Sequence, residues 1–221
     1  MGIKSFVRNY ALHTYAFKGC KEDYFVATLI HKYMRGTRVL DLGCGPVVRI
    51  TSIFYPDAKK VVAVDRLQTN LDFIRRKSSE LRDIIQRARF YKRRYLSKTD
   101  SNLKIRLVKG DVTKRLCVGT FDSVMNLGCF GALDTAKQFQ AAVNHAYHYL
   151  KKGGTLLMVN WVGKANRPYH FNGKVHEPDV FAPSLKKAGF KIRELHVTSS
   201  VVSAETKKMG YKKIIWAVGE K

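Results

Sequence analysis

The run from Val39 to Pro46, VLDLGCGP, constrains the fold of this chain more than any other feature. Its first half is apolar and β-branched, as in a buried strand, and Gly43 and Gly45 then permit a tight turn and a close approach of the backbone to a ligand. In doubly wound α/β sheets, ligands bind in the crevice outside the carboxyl ends of the strands. The run therefore predicts a strand, a turn and a helix start that form part of a ligand site.

Short apolar runs alternate with longer helical patterns along the rest of the chain, which is typical of a mostly parallel sheet with helices on both faces. This alternation predicts a doubly wound α/β fold. Strands are predicted at Arg38–Leu42, Val61–Asp65, Ile105–Lys109, Phe121–Leu127, Thr155–Trp161, Ile192–Val197 and Tyr211–Val218. Helices are predicted over Phe6–Tyr33 (one or two), from Thr69 into the low nineties, over Thr135–Leu150 and over Val180–Ala188.

At 221 residues the chain has the length of one α/β domain. We expect a single domain over residues 1–221, with 1–35 as an N-terminal helical lid and 36–221 as the core. No apolar run is long enough for a bilayer and the first residues lack the apolar part of a secretory signal, so we expect a cytoplasmic protein with no membrane partner. The four cysteines fit neither a zinc site nor a disulfide framework. We expect them to be small buried side chains in a reducing compartment, and we expect a monomer without a metal.

The formal net charge of +24 is the unusual feature of the composition. Such a charge is compatible with a nucleic acid, an acidic membrane surface or an anionic substrate as partner. The excess is spread along most of the chain, which favours a solvated basic surface. It is densest between Arg75 and Lys109, where only Glu80, Asp83 and Asp100 oppose the basic side chains.

Acidic residues follow two more predicted strands. Asp65 ends the second strand, where a carboxylate can accept hydrogen bonds from both hydroxyls of a ribose. Asp111 and Val112 follow the third strand, where an acid and the next backbone N–H can bind the edge of an adenine. Each acid alone could be a helix cap or a loop residue. A dinucleotide-binding fold is an alternative, but its fingerprint has a third glycine where this chain has Val48.

Together these motifs resemble the class I S-adenosylmethionine-dependent methyltransferases, over roughly residues 36–218. More narrowly, the chain is similar to the small-molecule amine N-methyltransferases that include the nicotinamide, phenylethanolamine and indolethylamine enzymes. The residues that carry this resemblance are the aromatic segment Asn9–Phe17, Asp41–Pro46, Asp65–Leu71 with Asn70 five residues after Asp65, Asp111-Val112, Leu150–Gly154 and Ala188–Phe190. The resemblance implies seven strands with the last antiparallel, S-adenosylmethionine as the cofactor, and a small-molecule methyl acceptor with a nucleophilic nitrogen.

The resemblance also implies the residues that bind the cofactor. Tyr10 has a second implied role as a catalytic residue, because it would close over cofactor and acceptor together with Tyr15. Packing of an amphipathic helix is an equally simple explanation of these two tyrosines. The implied cofactor-binding residues are Tyr10, Tyr15, Asp41, Gly43, Gly45, Asp65, Asn70, Asp111, Val112 and Leu127.

The chain departs from those enzymes where the acceptor is selected. They often have an acid after the fifth strand, and this chain has Asn160 followed by Trp161. We predict that the acceptor lies beside both, with Asn160 as a catalytic residue that orients it and Trp161 as an aromatic wall. The acceptor is then neutral, or its charge is met by the predicted substrate-binding acids Glu177 or Asp179. These two acids also fit a surface position near a helix start.

Three further interpretations stay open. His170 and His176 are candidate general bases, although a lone histidine is more often packed or solvated. An RNA or other nucleic-acid methyltransferase would explain the charge, but Asn126–Phe130 contains neither the motif for exocyclic base amines nor the one for cytosine C5. A catalytically silent cofactor-binding scaffold is the third interpretation.

Overall fold

A computed structural model describes residues 21–46, 55, 57–76, 104–163, 178–208 and 210–221. Seven strands lie in these ranges: β1 (Arg38–Leu42), β2 (Lys60–Asp65), β3 (Lys104–Lys109), β4 (Phe121–Leu127), β5 (Leu150–Gly163), β6 (Lys191–Thr198) and β7 (Tyr211–Glu220). The helices are α1 (Lys21–Tyr33), α2 (68–76), α3 (Ala136–Tyr149), α4 (Pro178–Ala188) and α5 (Ala204–Lys208), with a 3-10 turn at Phe130–Ala132.

The strands form one sheet in the order β3-β2-β1-β4-β5-β7-β6. The ladders β2–β3, β1–β2, β1–β4 and β4–β5 are parallel, and β7 runs antiparallel between β5 and β6. The predicted α/β fold with an antiparallel last strand is therefore confirmed. Because the first five strands run the same way, their carboxyl ends share one edge of the sheet, called the carboxyl edge below.

Strand boundaries follow the sequence closely, with one clear difference. β5 begins at Leu150 instead of Thr155, because Leu150 already pairs with Phe121 of β4 before an irregularity in the ladder. The preceding helix consequently ends at Tyr149. Its start is fixed by a capping box, in which the Thr135 hydroxyl accepts from the Gln138 amide and the Gln138 side chain accepts in return.

Two apolar clusters lie on opposite faces of the sheet. The α3 face is covered by α3 and α4 and includes Leu40, Phe130 and Phe139. The α1 face is covered by α1, whose buried side chains pack with the odd-numbered core residues of β5. Within the predicted lid segment, residues 1–35, the helix α1 has buried side chains that belong to this core cluster. Residues 1–20 of that segment lie outside the described ranges. No helix in the described ranges is long and apolar enough to cross a membrane.

Candidate active site at the carboxyl edge

The glycine turn after β1 is built against β2 and β4. Gly43 and Gly45 have left-handed backbones, with φ of 76° and 64°. The amides of Gly43 and Cys44 both donate to the Val64 carbonyl, at 2.8 and 3.0 Å. A Cβ on Gly43 would overlap the Cys129 side chain, whereas a Cβ on Gly45 would meet no described heavy atom within 4 Å. Gly43 therefore serves close packing, whereas no described residue crowds Gly45.

Asp65 connects the end of β2 to this turn. It is nearly buried, its Oδ2 accepts from the Gly45 amide at 2.9 Å, and its Oδ1 accepts from the Leu67 amide at 2.8 Å. An ionised carboxylate can accept about four hydrogen bonds. Among the described residues only these two amides donate to Asp65, so two acceptor positions are available to hydroxyl groups of a ligand.

Asn70 on α2 and Asp41 on β1 both have buried side chains. In the described part of the chain the Oδ1 of Asn70 is buried without a hydrogen-bond partner, an arrangement that is costly unless a ligand or water donates to it. Asp41 is buried on β1. Burial, and then the carboxylates of Asp41 and Asp65, raise the pKa of the Cys44 thiol. A buried acceptor and an acid at one strand end fit the hydroxyls of a nucleoside.

The loop after β3 brings Asp111 to the same edge. The Gly110 amide donates to the Asp65 carbonyl at 2.9 Å, and Asp111 Oδ1 accepts from the amide and the hydroxyl of Thr113 at 2.8 and 2.7 Å. Burial raises the pKa of Asp111, but the bonds from Thr113, with Lys114 and Arg66 nearby, outweigh it and hold the pKa below its ordinary value. Asp111 is therefore an ionised acceptor at neutral pH.

Two predicted cofactor residues have side chains that belong to the core. The Val112 side chain packs into the α3-face cluster, and its carbonyl oxygen lies 3.2 Å from Nδ1 of His145. Leu127 ends β4 and packs, half-buried, on the α1 face. Any contact that Val112 makes with a ligand is therefore through its backbone.

Asn126 is a structural residue of this edge that the sequence analysis missed. It is fully buried near the end of β4, its Nδ2 donates to the Leu42 carbonyl at 2.6 Å, and its Oδ1 accepts from the Phe130 amide at 3.1 Å. It thereby ties the residue before Gly43 to the 3-10 turn. The available signal was a polar residue near the end of an otherwise apolar strand.

Asn160 and Trp161 lie on opposite faces of the sheet, as adjacent strand residues must. Asn160 is fully buried, and its Oδ1 accepts from the Gly131 amide at 3.1 Å. Its Nδ2 has no hydrogen-bond partner among the described residues. Trp161 packs on the α1 face against Gly128. The two side chains therefore extend from opposite faces of β5, and the acceptor position beside them stays a prediction.

The remaining candidates are distributed as follows. Asp179 is exposed in the first turn of α4. Burial raises the pKa of Cys129 to about 12, which makes it an unreactive thiol, whereas Cys117 is exposed, contrary to expectation. The described ranges contain no group of three potential metal ligands. The predicted residues that lie outside the described ranges are Tyr10, Tyr15, Glu177, His170 and His176.

Comparison with known proteins gives a consistent result. A family model described as "Methyltransferase domain" matches residues 40–158, while the curated proteins give no match. The N-methyltransferase NodS from Bradyrhizobium japonicum WM9, solved with S-adenosyl-L-homocysteine, is 12% identical, with 93% of this chain and 90% of that chain covered and a TM-score of 0.62. An S-adenosylmethionine-dependent methyltransferase from Clostridium acetobutylicum ATCC 824 is 14% identical, with coverages of 96% and 98% and a TM-score of 0.64. An O-methyltransferase family protein from Burkholderia thailandensis is 17% identical, with coverages of 90% and 55% and a TM-score of 0.60. These likenesses show the fold.

Proposed function

Because the chain belongs to the methyltransferase domain family, and is therefore a transferase that uses S-adenosylmethionine, we propose that it methylates a small molecule at a nucleophilic nitrogen. The observation that carries the proposal is the uncharged character of the ends of β4 and β5. The described side chains there are Asn126, Leu127, Cys129, Asn160 and Trp161.

The geometry of the carboxyl edge supports a division of labour in cofactor binding. The main chain of the glycine turn, which no described side chain crowds at Gly45, faces the cofactor. Asp65 and Asn70 accept from the ribose hydroxyls, which gives the unpartnered Oδ1 of Asn70 a donor. Asp111 and the backbone of Val112 bind the adenine edge, and Asp41 supports the turn from β1. When bound, S-adenosylmethionine supplies a sulfonium methyl group whose carbon forms a bond with the acceptor's lone pair as the carbon–sulfur bond breaks.

The protein's contribution to the reaction is orientation rather than proton transfer. A neutral amine carries its own lone pair, attacks without a base, and releases a proton to solvent after methylation. A hydroxyl acceptor requires a base, and the described residues at the ends of β4 and β5 include no carboxylate or imidazole. The raised pKa of the Cys129 thiol keeps it protonated. These observations favour nitrogen over oxygen.

Asn160 is the residue that we propose for orienting the acceptor. Its Oδ1 is already engaged by Gly131, which leaves Nδ2 as the available group. An acceptor with a neutral oxygen or nitrogen atom that accepts a hydrogen bond is therefore favoured over one with a second cation. Trp161, Asp179 and Glu177 remain proposals for the rest of the acceptor site. Tyr10 and Tyr15 remain proposals for the lid, which we place in residues 1–35 of a single domain over 1–221.

The test is an acceptor screen with cofactor labelled on its methyl group. Neutral amines and nitrogen heterocycles are compared with alcohols, phenols and bulk RNA, and the product is identified by mass. We expect label in a small nitrogen product. Label in hydroxyl compounds, or in RNA alone, would contradict the proposal. The Asn160→Asp variant serves as the matched comparison, since it keeps the shape and exchanges the free donor for a charged acceptor.

A further inference from the structure

Two side chains of α3 hold the loop that follows β3. His145 Nδ1 lies 3.2 Å from the Val112 carbonyl, and since a carbonyl only accepts, Nδ1 carries the proton of this bond. The Leu116 amide donates to the hydroxyl of Tyr149 at 2.6 Å. His145 and Tyr149 are four residues apart and therefore lie on one side of the helix.

The loop between these two attachments is compact. Asp111 begins a turn closed by the Lys114 amide, which donates to the Asp111 carbonyl at 3.0 Å. Leu116 folds back so closely that a Cβ on Gly110 would lie 2.9 Å from its methyl groups. Because the loop has little freedom of its own, the two bonds from α3 fix the position of the segment from Asp111 to Leu116 relative to the sheet.

We propose that His145 and Tyr149 are positioning residues for adenine recognition. The inference rests on the proposed function, in which Asp111 and the Val112 backbone bind the adenine edge. Neither side chain is proposed to touch the cofactor. His145 holds the Val112 carbonyl, and with it the adjoining peptide groups. Tyr149 is buried and holds the far end of the loop, so that a displacement at Leu116 would be transmitted to Gly110 and Asp111.

The experiment compares the binding of two ligands by calorimetry in the full-length protein: S-adenosylhomocysteine and S-inosylhomocysteine, in which hypoxanthine replaces adenine. Hypoxanthine reverses the donor and acceptor at the edge that an acid and an N–H would recognise. We expect the wild-type protein to prefer adenine by more than about tenfold, and His145→Phe to reduce this preference by about three- to tenfold, the scale of one hydrogen bond.

Three further variants separate positioning from general stability. His145→Asn places a donor nitrogen where Nδ1 lies and should retain the preference, while Tyr149→Phe removes the acceptor for Leu116 and should reduce it. His148→Phe, on the exposed side of the same helix, is the matched control. A residue with a merely structural role would lower the melting temperature and leave the ratio of the two affinities unchanged.

The outcomes test the positioning role of His145 and Tyr149 separately from the placement of adenine at Asp111 and Val112. A wild-type protein that binds both ligands equally would overturn the placement of adenine, and the inference with it. A wild-type protein that prefers adenine, with folded His145→Phe and Tyr149→Phe variants that keep the full preference, would overturn the positioning role alone.

Discussion

The Gly45 amide donates a 2.9 Å hydrogen bond to Oδ2 of Asp65, so the turn after β1 and the acid after β2 form one unit. Twenty positions separate these residues in the chain, and parallel pairing of β1 with β2 brings them together. The bond orients the carboxylate while leaving acceptor positions on it. The glycine turn and the fixed acid of the candidate site are thereby brought together at the carboxyl edge.

The two glycines of this turn should respond differently to alanine. A left-handed backbone costs a non-glycine residue about 1–2 kcal/mol, and overpacking a core adds about 1–3 kcal/mol. Gly43→Ala incurs both because its Cβ meets Cys129, whereas the Cβ of Gly45→Ala meets no heavy atom of a described residue within 4 Å. We therefore expect urea denaturation to show the larger loss of unfolding free energy for Gly43→Ala, and calorimetry to show weaker cofactor binding for Gly45→Ala.

Gly153→Ala is the control for this pair, because Gly153 has a φ of 75°, lies at the opposite edge of the sheet, and would bring its Cβ near no described heavy atom. Gly153→Ala should lose as much unfolding free energy as Gly45→Ala loses. It should bind the cofactor as tightly as the wild-type protein does. If Gly45→Ala binds the cofactor as tightly as Gly153→Ala does, the turn is not the cofactor site.

Removal of the Asn126 side chain should weaken both the fold and the site. Asn126→Ala leaves the Leu42 carbonyl and the Phe130 amide buried without this partner, at about 1–3 kcal/mol for each. Asn126→Asp keeps an acceptor oxygen for the Phe130 amide. It places a second acceptor oxygen opposite the Leu42 carbonyl, where the wild type has a donor. Thermal unfolding should therefore show a loss for both variants. An Asn126→Asp protein as stable as the wild type would contradict the assigned amide orientation.

Acid should remove the contribution that Asp122, near the start of β4, makes to the free energy of unfolding. Its Oδ2 accepts from the amides of Thr37 and Arg38, and Lys151 donates to Oδ1 at 2.6 Å. Burial raises the pKa of Asp122, but the Lys151 and backbone bonds outweigh it and hold the pKa below its ordinary value. Because folding lowers this pKa, the stabilisation is fully present above the pKa of the unfolded chain, about 4, and it is lost as pH falls through the pKa of the folded protein.

The corresponding measurement is the free energy of unfolding between pH 7 and pH 2. Asp122→Asn should be less stable than the wild type at pH 7, with the difference shrinking as acid protonates Asp122 in the wild type. The exposed Asp57→Asn is the control, with little change expected. A pH-independent difference for Asp122→Asn would show that the charge of Asp122 is not what stabilises the fold.

The sequence predicted the sheet well because its strands are short apolar runs that end at turn residues. The position of Asp65 at the end of β2 and of the glycine turn after β1 was predictable for the same reason, because strand ends are local features. Strand alternation alone implies that the adjacent residues Asn160 and Trp161 face opposite sides of the sheet. Asn126 and His145 could not be assigned from sequence, since their partners Leu42 and Val112 are distant in the chain.

The basic surface should behave as solvated charge and not as a nucleic-acid site. Lys104, Arg106 and Lys109 are exposed on the edge strand β3. An enzyme that neutralised several phosphates would lose affinity for single strands with a log–log salt slope of about −0.7 for each phosphate. We expect only weak RNA binding in physiological salt. Tight binding with a steep slope, abolished by Lys104→Glu with Arg106→Glu, would favour the nucleic-acid alternative.

The central claim is that S-adenosylmethionine binds across the carboxyl ends of β1, β2 and β3. The most direct measurement is its calorimetric affinity for Asp65→Ala, with Asp72→Ala as the control, because Asp72 is a half-exposed acid on the neighbouring helix α2. Loss of hydrogen bonds to a charged acceptor should weaken binding by about 1–3 kcal/mol in Asp65→Ala, with no change in the control. A folded Asp65→Ala protein that binds S-adenosylmethionine with wild-type affinity would contradict this placement of the cofactor.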